Sequence, residues 1–289
     1  MSVEFLKKES ILSQLKKAFE EKAKTEVECP ISLKKYEVEA IKAFELQKLK
    51  KVRTIKSLVK NLIELVVSKV NAENLEEVVN ENSYLDYYAI LKGVLEASYE
   101  SDRRADFECP ECGQKFDLEV KFSQFENTSK KWDKEQPFKD FRVEYDYKIE
   151  DKGIELKFVM KIPTIKEFYH IIDKIAEDIN LSSGINSPLT LTGNILSDLE
   201  TLVMVTEKLI VKTPSLEEPV VFTSKTDIED ILENSGAPIS IYKEALEKFS
   251  NEIKDYVPIY RSQTQCPSCK EKIDIYLEPQ VAFINKLFV

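Results

Sequence analysis

Hydrophobic and polar positions alternate along the chain with two periods, one typical of helices and one typical of strands. Apolar residues three and four positions apart predict amphipathic helices. Ser83 is expected to be the N-cap of one of them, with Asp86 in its first turn. The predicted helices cover residues 3–24, 34–50, 54–70, 84–99, 188–209, 226–234 and 239–254, and one more follows Thr164.

Strict alternation of apolar and polar residues predicts strands elsewhere. Residues 141–149 and 154–159 alternate on either side of Asp151-Lys152-Gly153, which predicts a β-hairpin. Val220 to Phe222 is predicted as a further short strand, and short strands flank each of two cysteine pairs. The mixture of segregated strands and numerous helices predicts a helix-rich α+β fold.

The two cysteine pairs open the same short pattern. Cys109-Pro110-Glu111-Cys112 and Cys266-Pro267-Ser268-Cys269 are each followed by a lysine, an apolar residue, an aspartate and an apolar residue. Two thiolates on such a tight turn, here called a knuckle, can hold one edge of a tetrahedral metal ion, and two knuckles complete a four-cysteine site. The closed ligand set predicts a structural Zn²⁺ ion in a zinc-ribbon-like site. Its predicted ligands are Cys109, Cys112, Cys266 and Cys269.

Two alternatives to this site remain open. A Cys-x-x-Cys pair can also be a redox dithiol, although a redox motif would favour a helix immediately after it, and here the alternation predicts a strand. The two knuckles can share one ion within a chain, or each can be completed by a second chain, which would imply self-association. Sharing within one chain is the simpler hypothesis, and it makes the ion a clamp between distant parts of the sequence.

The other candidate ligands are not assigned to the metal. Cys29 has no partner at metal-ligand spacing and is predicted to be a small buried hydrophobic residue. His170, which is the one histidine, is predicted to lie on the polar face of a helix. The C-terminal residues 281–289 are strongly apolar, so we expect them to be buried in their own domain or against a partner.

Composition and charge narrow the classes of function. The chain is 43% apolar and 33% charged, which is typical of a globular protein, and no apolar run predicts a membrane span. The N-terminus lacks a signal-peptide core, and cysteines at metal-ligand spacing suit a reducing cytoplasm. A net charge of −10 argues against nucleic acid as the main partner. No phosphate loop or catalytic triad is present, which predicts that the chain is not an enzyme.

The charge is unevenly distributed. Residues 1–60 carry a net charge of +6 and the remainder carries −16. This basic end either contacts an acidic neighbour or another copy, or consists of solvated helix faces. We divide the chain into a lysine-rich helical region (1–80), a helix with the first knuckle (81–135), and a region with the hairpin, helices and second knuckle (136–289).

From about residue 80 onward the chain resembles the baseplate hub subunit family of contractile-tailed bacteriophages. The resemblance rests on Tyr84-Leu85-Asp86, Ser98-Tyr99, the segment Phe107 to Gly113, Lys161-Ile162-Pro163-Thr164, and the ending from Cys266 to Phe288. The family commonly has an arginine in the helix and a glycine after Ser-Tyr, where this chain has Lys92-Gly93 and Glu100.

This resemblance implies a structural or assembly component of a phage tail baseplate that binds other baseplate proteins. It would be made in the host cytoplasm and located in the virion tail baseplate. The rival hypothesis is a cytoplasmic zinc-ribbon protein that acts on nucleic acid or on the transcription machinery. Such modules carry a basic ribbon face, and the residues beside Cys109 and Cys266 are not notably basic. A thiol-disulfide enzyme is a third, weaker alternative.

Overall fold

The computed structural model describes residue 14 and residues 24–99, 104–175, 197–280 and 282–283; side chains are described for all of these except 104–106, 174 and 175. The α+β prediction is confirmed in this part of the chain. The helices are α1 (Ala43–Leu49), α2 (Ile55–Ser68), α3 (Leu75–Glu81), α4 (Tyr84–Ser98), α5 (Ile165–Ile175), α6 (Asp198–Val205), α7 (Lys225–Asn234) and α8 (Ile239–Ile253).

The described strands form two two-stranded hairpins, one three-stranded sheet and one four-stranded sheet, and all the strand pairs are antiparallel. They are β1 (Lys24–Glu28), β2 (Lys35–Glu39), β3 (Arg104–Glu108), β4 (Lys115–Glu119), β5 (Glu126–Asn127), β6 (Val143–Ile149), β7 (Ile154–Met160), β8 (Thr206–Lys212), β9 (Val220–Phe222), β10 (Tyr260–Gln265) and β11 (Lys272–Leu277). The sheet orders are β1-β2, β3-β4, β11-β10-β5 and β6-β7-β8-β9.

One hydrophobic core lies between the β1–β2 hairpin and helices α2 and α4. Leu58, Leu62 and Val66 on α2 are spaced four residues apart and have no exposed surface, as expected for the buried stripe of an amphipathic helix. Phe283, near the C-terminus, is also fully buried in this core. The apolar tail is therefore internal at this position, while residues 284–289 lie outside the described part.

A second core lies between the four-stranded sheet and helices α6, α7 and α8. Trp132 packs at its edge, with its ring centroid 4.8 Å from that of Tyr256. The two cores meet where helices α4 and α5 begin. There the Tyr84 N–H donates to Pro163 O (3.0 Å) and the Ile165 N–H donates to Asn82 O (2.9 Å), which ties the two helix N-termini together.

Several sequence predictions are confirmed. Helices α2, α4, α7 and α8 match predicted helices to within about two residues, and β6 and β7 form the predicted hairpin. Ser83 is the N-cap of α4, where its side chain accepts a hydrogen bond from the Asp86 N–H. Short strands flank both knuckles as expected. Helix α3 and strand β5 were not predicted.

Two predicted helices are wrong in part. The helix over residues 34–50 is instead strand β2 followed by α1, because Val38 packs against α4 as part of a hairpin. The helix over residues 188–209 ends at Val205, and β8 begins at Thr206; its first part, 188–196, lies outside the described residues. So does the helix predicted over residues 3–24, except for residue 14, which is helical, and Lys24, which begins β1.

Candidate metal centre

The two predicted knuckles have the same backbone geometry. In the first, Cys109 N donates to Gln114 O (2.9 Å) and Gly113 N donates to Cys109 O (2.8 Å). In the second, the corresponding bonds run from Cys266 N to Glu271 O (2.9 Å) and from Lys270 N to Cys266 O (3.1 Å).

A left-handed residue closes each of these turns. Gly113 has a φ of 69° and Lys270 has a φ of 64°. This conformation costs glycine nothing, whereas lysine adopts it at some strain. The Lys270 side chain donates to Pro267 O at 2.9 Å, which is a local bond that helps to hold the turn. Lysine suits a left-handed position less well than glycine, yet Lys270 and Gly113 make the same turn.

The structure brings the four cysteines of these knuckles together within one chain. Cys109 Sγ lies 3.6 Å from Cys269 Sγ, and Cys112 Sγ lies 3.7 Å from Cys266 Sγ. All four sulfurs lie within 4.8 Å of one another. A tetrahedral ion with metal–sulfur bonds of about 2.3 Å separates its sulfurs by about 3.8 Å. The thiols therefore fit a metal ion, and all four are free cysteines.

Two hairpins hold this thiol cluster. Strands β3 and β4 lead into the first knuckle, with Glu108 paired to Lys115, and strands β10 and β11 lead into the second, with Gln265 paired to Lys272. Cys109 and Cys266 are buried, whereas Cys112 and Cys269 are exposed. The cluster thus joins two chain segments at an edge that solvent reaches.

A third knuckle, which the sequence analysis missed, begins at Cys29. Cys29 N donates to Lys34 O (2.9 Å) and Leu33 N donates to Cys29 O (3.0 Å), and Leu33 has a φ of 61°. Strands β1 and β2 form its hairpin. Ser32 occupies the position that Cys112 and Cys269 occupy in the other two knuckles.

A repeated pattern in the sequence could have identified this third copy. Each knuckle has a Cys-Pro pair, four further residues, then a lysine, an apolar or aromatic residue, an acidic residue and an apolar residue. The three copies are Cys29 to Val38, Cys109 to Leu118 and Cys266 to Ile275. Requiring two cysteines per turn hides the first copy, because its second cysteine position holds Ser32.

The carboxylate of Asp86 lies inside the knuckle that begins at Cys29, here called the Cys29 knuckle. Its oxygens accept hydrogen bonds from Ile31 N (2.8 Å) and Ser32 N (3.1 Å). In the knuckle that begins at Cys266, the corresponding N–H groups of Ser268 and Cys269 face the Cys266 thiol instead. Asp86 therefore accepts hydrogen bonds from two backbone N–H groups whose counterparts in the Cys266 turn face a cysteine sulfur. These bonds attach the Cys29 knuckle to the first turn of α4.

Burial governs the chemistry of the Cys29 knuckle. Burial, with the nearby Asp86 charge, raises the pKa of the Cys29 thiol far above its ordinary value, so this thiol stays protonated and unreactive. Burial also raises the pKa of Asp86, against the opposing effect of the N–H donors of Ile31, Ser83 and Ser32. The prediction that Cys29 is buried is confirmed, at 0% exposure.

The surroundings of the thiol cluster are neither basic nor strongly acidic. The exposed side chains beside the cysteines include Glu111, Lys115, Lys270 and Glu271. His170 is exposed on α5 and belongs to no group of candidate metal ligands within the described residues. No helix in the described ranges has the length and apolar character that crossing a membrane requires.

Comparisons of the chain with protein-family models, with curated proteins and with solved structures find no match.

Proposed function

We propose that this chain is a structural or assembly component of a phage tail baseplate hub, and that it binds other baseplate proteins through a fold stabilised by one Zn²⁺ ion. The ion would be held by Cys109, Cys112, Cys266 and Cys269. The observation that carries the proposal is the closed cluster of four thiols, which joins hairpins about 150 residues apart in sequence. Four protein ligands leave no open position for a substrate or a water, which favours a structural role over catalysis.

The baseplate assignment is supported by the resemblance of the sequence from about residue 80 onward. Under this proposal the protein is made in the host cytoplasm and its final location is the virion tail baseplate. Its partners are other baseplate proteins, and self-association is compatible with the basic N-terminal region. The mixed charge beside the knuckles does not favour the rival role on nucleic acid.

The metal part of the proposal is tested by elemental analysis of the purified full-length chain. We expect one zinc per chain, and loss of that zinc in Cys112→Ser, a change at an exposed ligand position. The control variant is Ser32→Cys. It creates a Cys-x-x-Cys pair at the Cys29 knuckle, but it supplies no second pair and leaves Asp86 in place. A second zinc in this control, or no zinc in the wild type, would contradict the proposal.

The baseplate part is tested by mass spectrometry of purified virions and isolated baseplates of the phage that encodes the chain. We expect peptides of the chain and cross-links to other baseplate proteins. The rival role predicts instead that the purified chain binds heparin or DNA in a salt-sensitive way at low ionic strength. Absence of the chain from virions and from assembly intermediates would overturn the baseplate proposal and leave the zinc result unaffected.

A further inference from the structure

A cleft of about 330 Å³ lies between the β1–β2 hairpin, helix α4 and the short strand β5. Its floor is apolar: Val27, Ala89, Phe125 and Tyr260 line it and are all buried. Tyr260 is only 4% exposed, and its hydroxyl has no hydrogen-bond partner in the described part of the chain. The volume lies at the lower end of the range for ligand sites in proteins.

Two strand edges that lack a second strand partner in the described part of the chain frame this cleft. Among the described residues, β1 pairs only with β2, and β5 pairs only with β10. Residues 26–28 of β1 and 126–127 of β5 both line the cleft. An edge of this kind presents backbone N–H and C=O groups that can pair with an added strand.

The chain passes from β5, which lines the cleft, to the Cys29 knuckle, where Trp132 N donates to Pro30 O at 2.7 Å. Along this crossing, Lys131 forms an ion pair with Glu28 at 2.7 Å. A lysine on a neighbouring segment therefore already meets the acidic edge of β1.

The walls of the cleft are acidic. Four glutamates and one lysine line it, and the lysine, Lys92, is paired with Glu96 at 2.5 Å. Glu26 and Glu126 are exposed and make no ion pair with any other described residue. On one face of an antiparallel pair, opposite charges directly across from each other are stabilising, so a strand beside β1 would favour cationic residues opposite Glu26 and Glu28.

We propose that this cleft binds an extended segment of a partner protein that carries lysine or arginine at alternate positions. The segment pairs with the edge of β1 at residues 26–28, its cationic side chains face Glu26, Glu28 and Glu126, and its apolar side chains contact the floor at Phe125. Main-chain pairing supplies affinity, and the alternation of charge supplies selectivity. The inference is independent of the baseplate role and of the metal site.

The probe for the test is a fluorescein-labelled hexapeptide of alternating lysine and valine with blocked ends. Its binding to the purified full-length chain is measured by fluorescence anisotropy at low ionic strength. We expect saturable binding, and a roughly tenfold weaker affinity for the double variant Glu26→Gln/Glu126→Gln, because this variant removes two carboxylates that face the lysines of the peptide. The control, Glu217→Gln/Glu218→Gln, removes two exposed charges outside the cleft and should bind as the wild type does.

Two further probes separate strand pairing from simple charge attraction. Alternate N–H groups of a strand point to the same edge, so N-methylation of the lysine amides and of the valine amides should have opposite effects: one peptide loses binding and the other keeps it. Spermidine, which carries charge but no peptide backbone, should compete poorly. Equal binding of both methylated peptides, equal competition by spermidine, no saturable binding, or unchanged affinity in the cleft variant would each overturn the proposal.

Discussion

At the scale of single residues, Asp86 decides how the Cys29 knuckle is held. Its carboxylate has no exposed surface and accepts hydrogen bonds from three backbone N–H groups and one hydroxyl; the donors are Ile31 N, Ser32 N, Ser83 N and Ser83 Oγ. A buried carboxylate is costly unless its oxygens are fully hydrogen-bonded. Here all the donors belong to two segments, the knuckle and the α4 N-cap, so one side chain fixes both.

We expect Asp86→Asn to lower the free energy of unfolding by about 3 kcal/mol, because an amide NH₂ would face backbone donors that then lack an acceptor. The measurement is urea denaturation followed by circular dichroism. Asp117→Asn is the matched control, since Asp117 is exposed on β4 and its change should cost less than about 0.5 kcal/mol. Equal stability of the two variants would contradict this role for Asp86.

Lys225 is a partly buried charged residue with a defined role. Its ammonium nitrogen donates to Val203 O (2.9 Å) and Met204 O (3.0 Å), and it also contacts Thr206 O. These carbonyls lie at the C-terminal end of α6 and the start of β8, where a helix leaves its last carbonyl groups unpaired. Burial lowers the pKa of Lys225 to about 8.

The lowered pKa of Lys225 predicts a pH dependence with a definite sign. The folded protein releases this proton near pH 8, whereas the unfolded chain keeps it until about pH 10.4. Between these two pH values the unfolded state binds more protons than the folded state. The contribution of Lys225 to the free energy of unfolding therefore rises with pH. We therefore expect the wild type to gain up to about 3 kcal/mol relative to Lys225→Met between pH 7.5 and 10.5, measured by urea denaturation at each pH. A constant difference across this range would contradict the assignment.

At the scale of elements, the first hairpin packs on α4 through a close approach at Gly93. A Cβ atom built on Gly93 would lie 2.1 Å from Val27 Cγ2 and 3.2 Å from Val38 Cγ2. Both valines belong to the hairpin and both are buried. Because Gly93 has no side chain, the two valine side chains of the hairpin can pack directly against the backbone of α4.

We expect Gly93→Ala to destabilise the fold by about 2 kcal/mol, although alanine is the better helix former by about 1 kcal/mol. Overpacking outweighs propensity, because the clash is with a buried strand residue. In the Val27→Ala background, where Cγ2 is absent, Gly93→Ala should be nearly neutral. The double-mutant cycle is measured by urea denaturation, and simple additivity of the two changes would show that the contact is not the cause.

The elements also show what the sequence could predict. Helix α4 was predictable because Ser83, Asp86 and a long apolar stripe all indicate the same helix. Strand β2 was not, because five residues of strand are too short to compete with the helical spacing around them, and packing on α4 decides the outcome. At Thr206 the chain passes from α6 straight into β8 without glycine or proline, so no local signal marks the change; pairing with β7 sets it.

The metal site shows the same division between local and distant information. The turn geometry of the two knuckles follows from the residues at Cys109 to Cys112 and at Cys266 to Cys269, so the four candidate ligands could be chosen from the sequence alone. The role of Asp86 could not, because its contact with Ser32 joins residues 54 positions apart and depends on the packing of the hairpin on α4.

At the scale of the whole molecule, contacts between distant parts of the chain organise the fold. The first core contains residues from Val27 to Phe283, and the thiol cluster joins Cys109 to Cys269 across 160 positions. Strand β5 pairs with β10 in the same region, through Asn127 and Tyr260. A zinc ion bound as proposed would therefore cross-link two segments that the pairing of β5 with β10 already holds together.

We expect loss of the ion to loosen both knuckle hairpins rather than the C-terminal segment alone. In Cys266→Ser the three remaining thiols cannot complete a tetrahedral site, and metal-coupled folding contributes on the order of ten kcal/mol in small zinc peptides, with less where a core already exists. Hydrogen exchange should therefore become faster in both β3–β4 and β10–β11, while α2 and α4 in the first core keep their protection. Limited proteolysis should give new cleavages on both sides of the thiol cluster.

The control for this prediction is Cys29→Ala, which removes a thiol but leaves the four-cysteine cluster intact. It should keep one zinc per chain and the exchange rates of the wild-type knuckle hairpins, even though the cavity at a fully buried position lowers overall stability. Treatment of the wild type with a chelator should reproduce the exchange pattern of Cys266→Ser, because both remove the same ion. If Cys266→Ser opened only the residues after 260 and left β3–β4 protected, the thiol cluster would not be a clamp between the two hairpins.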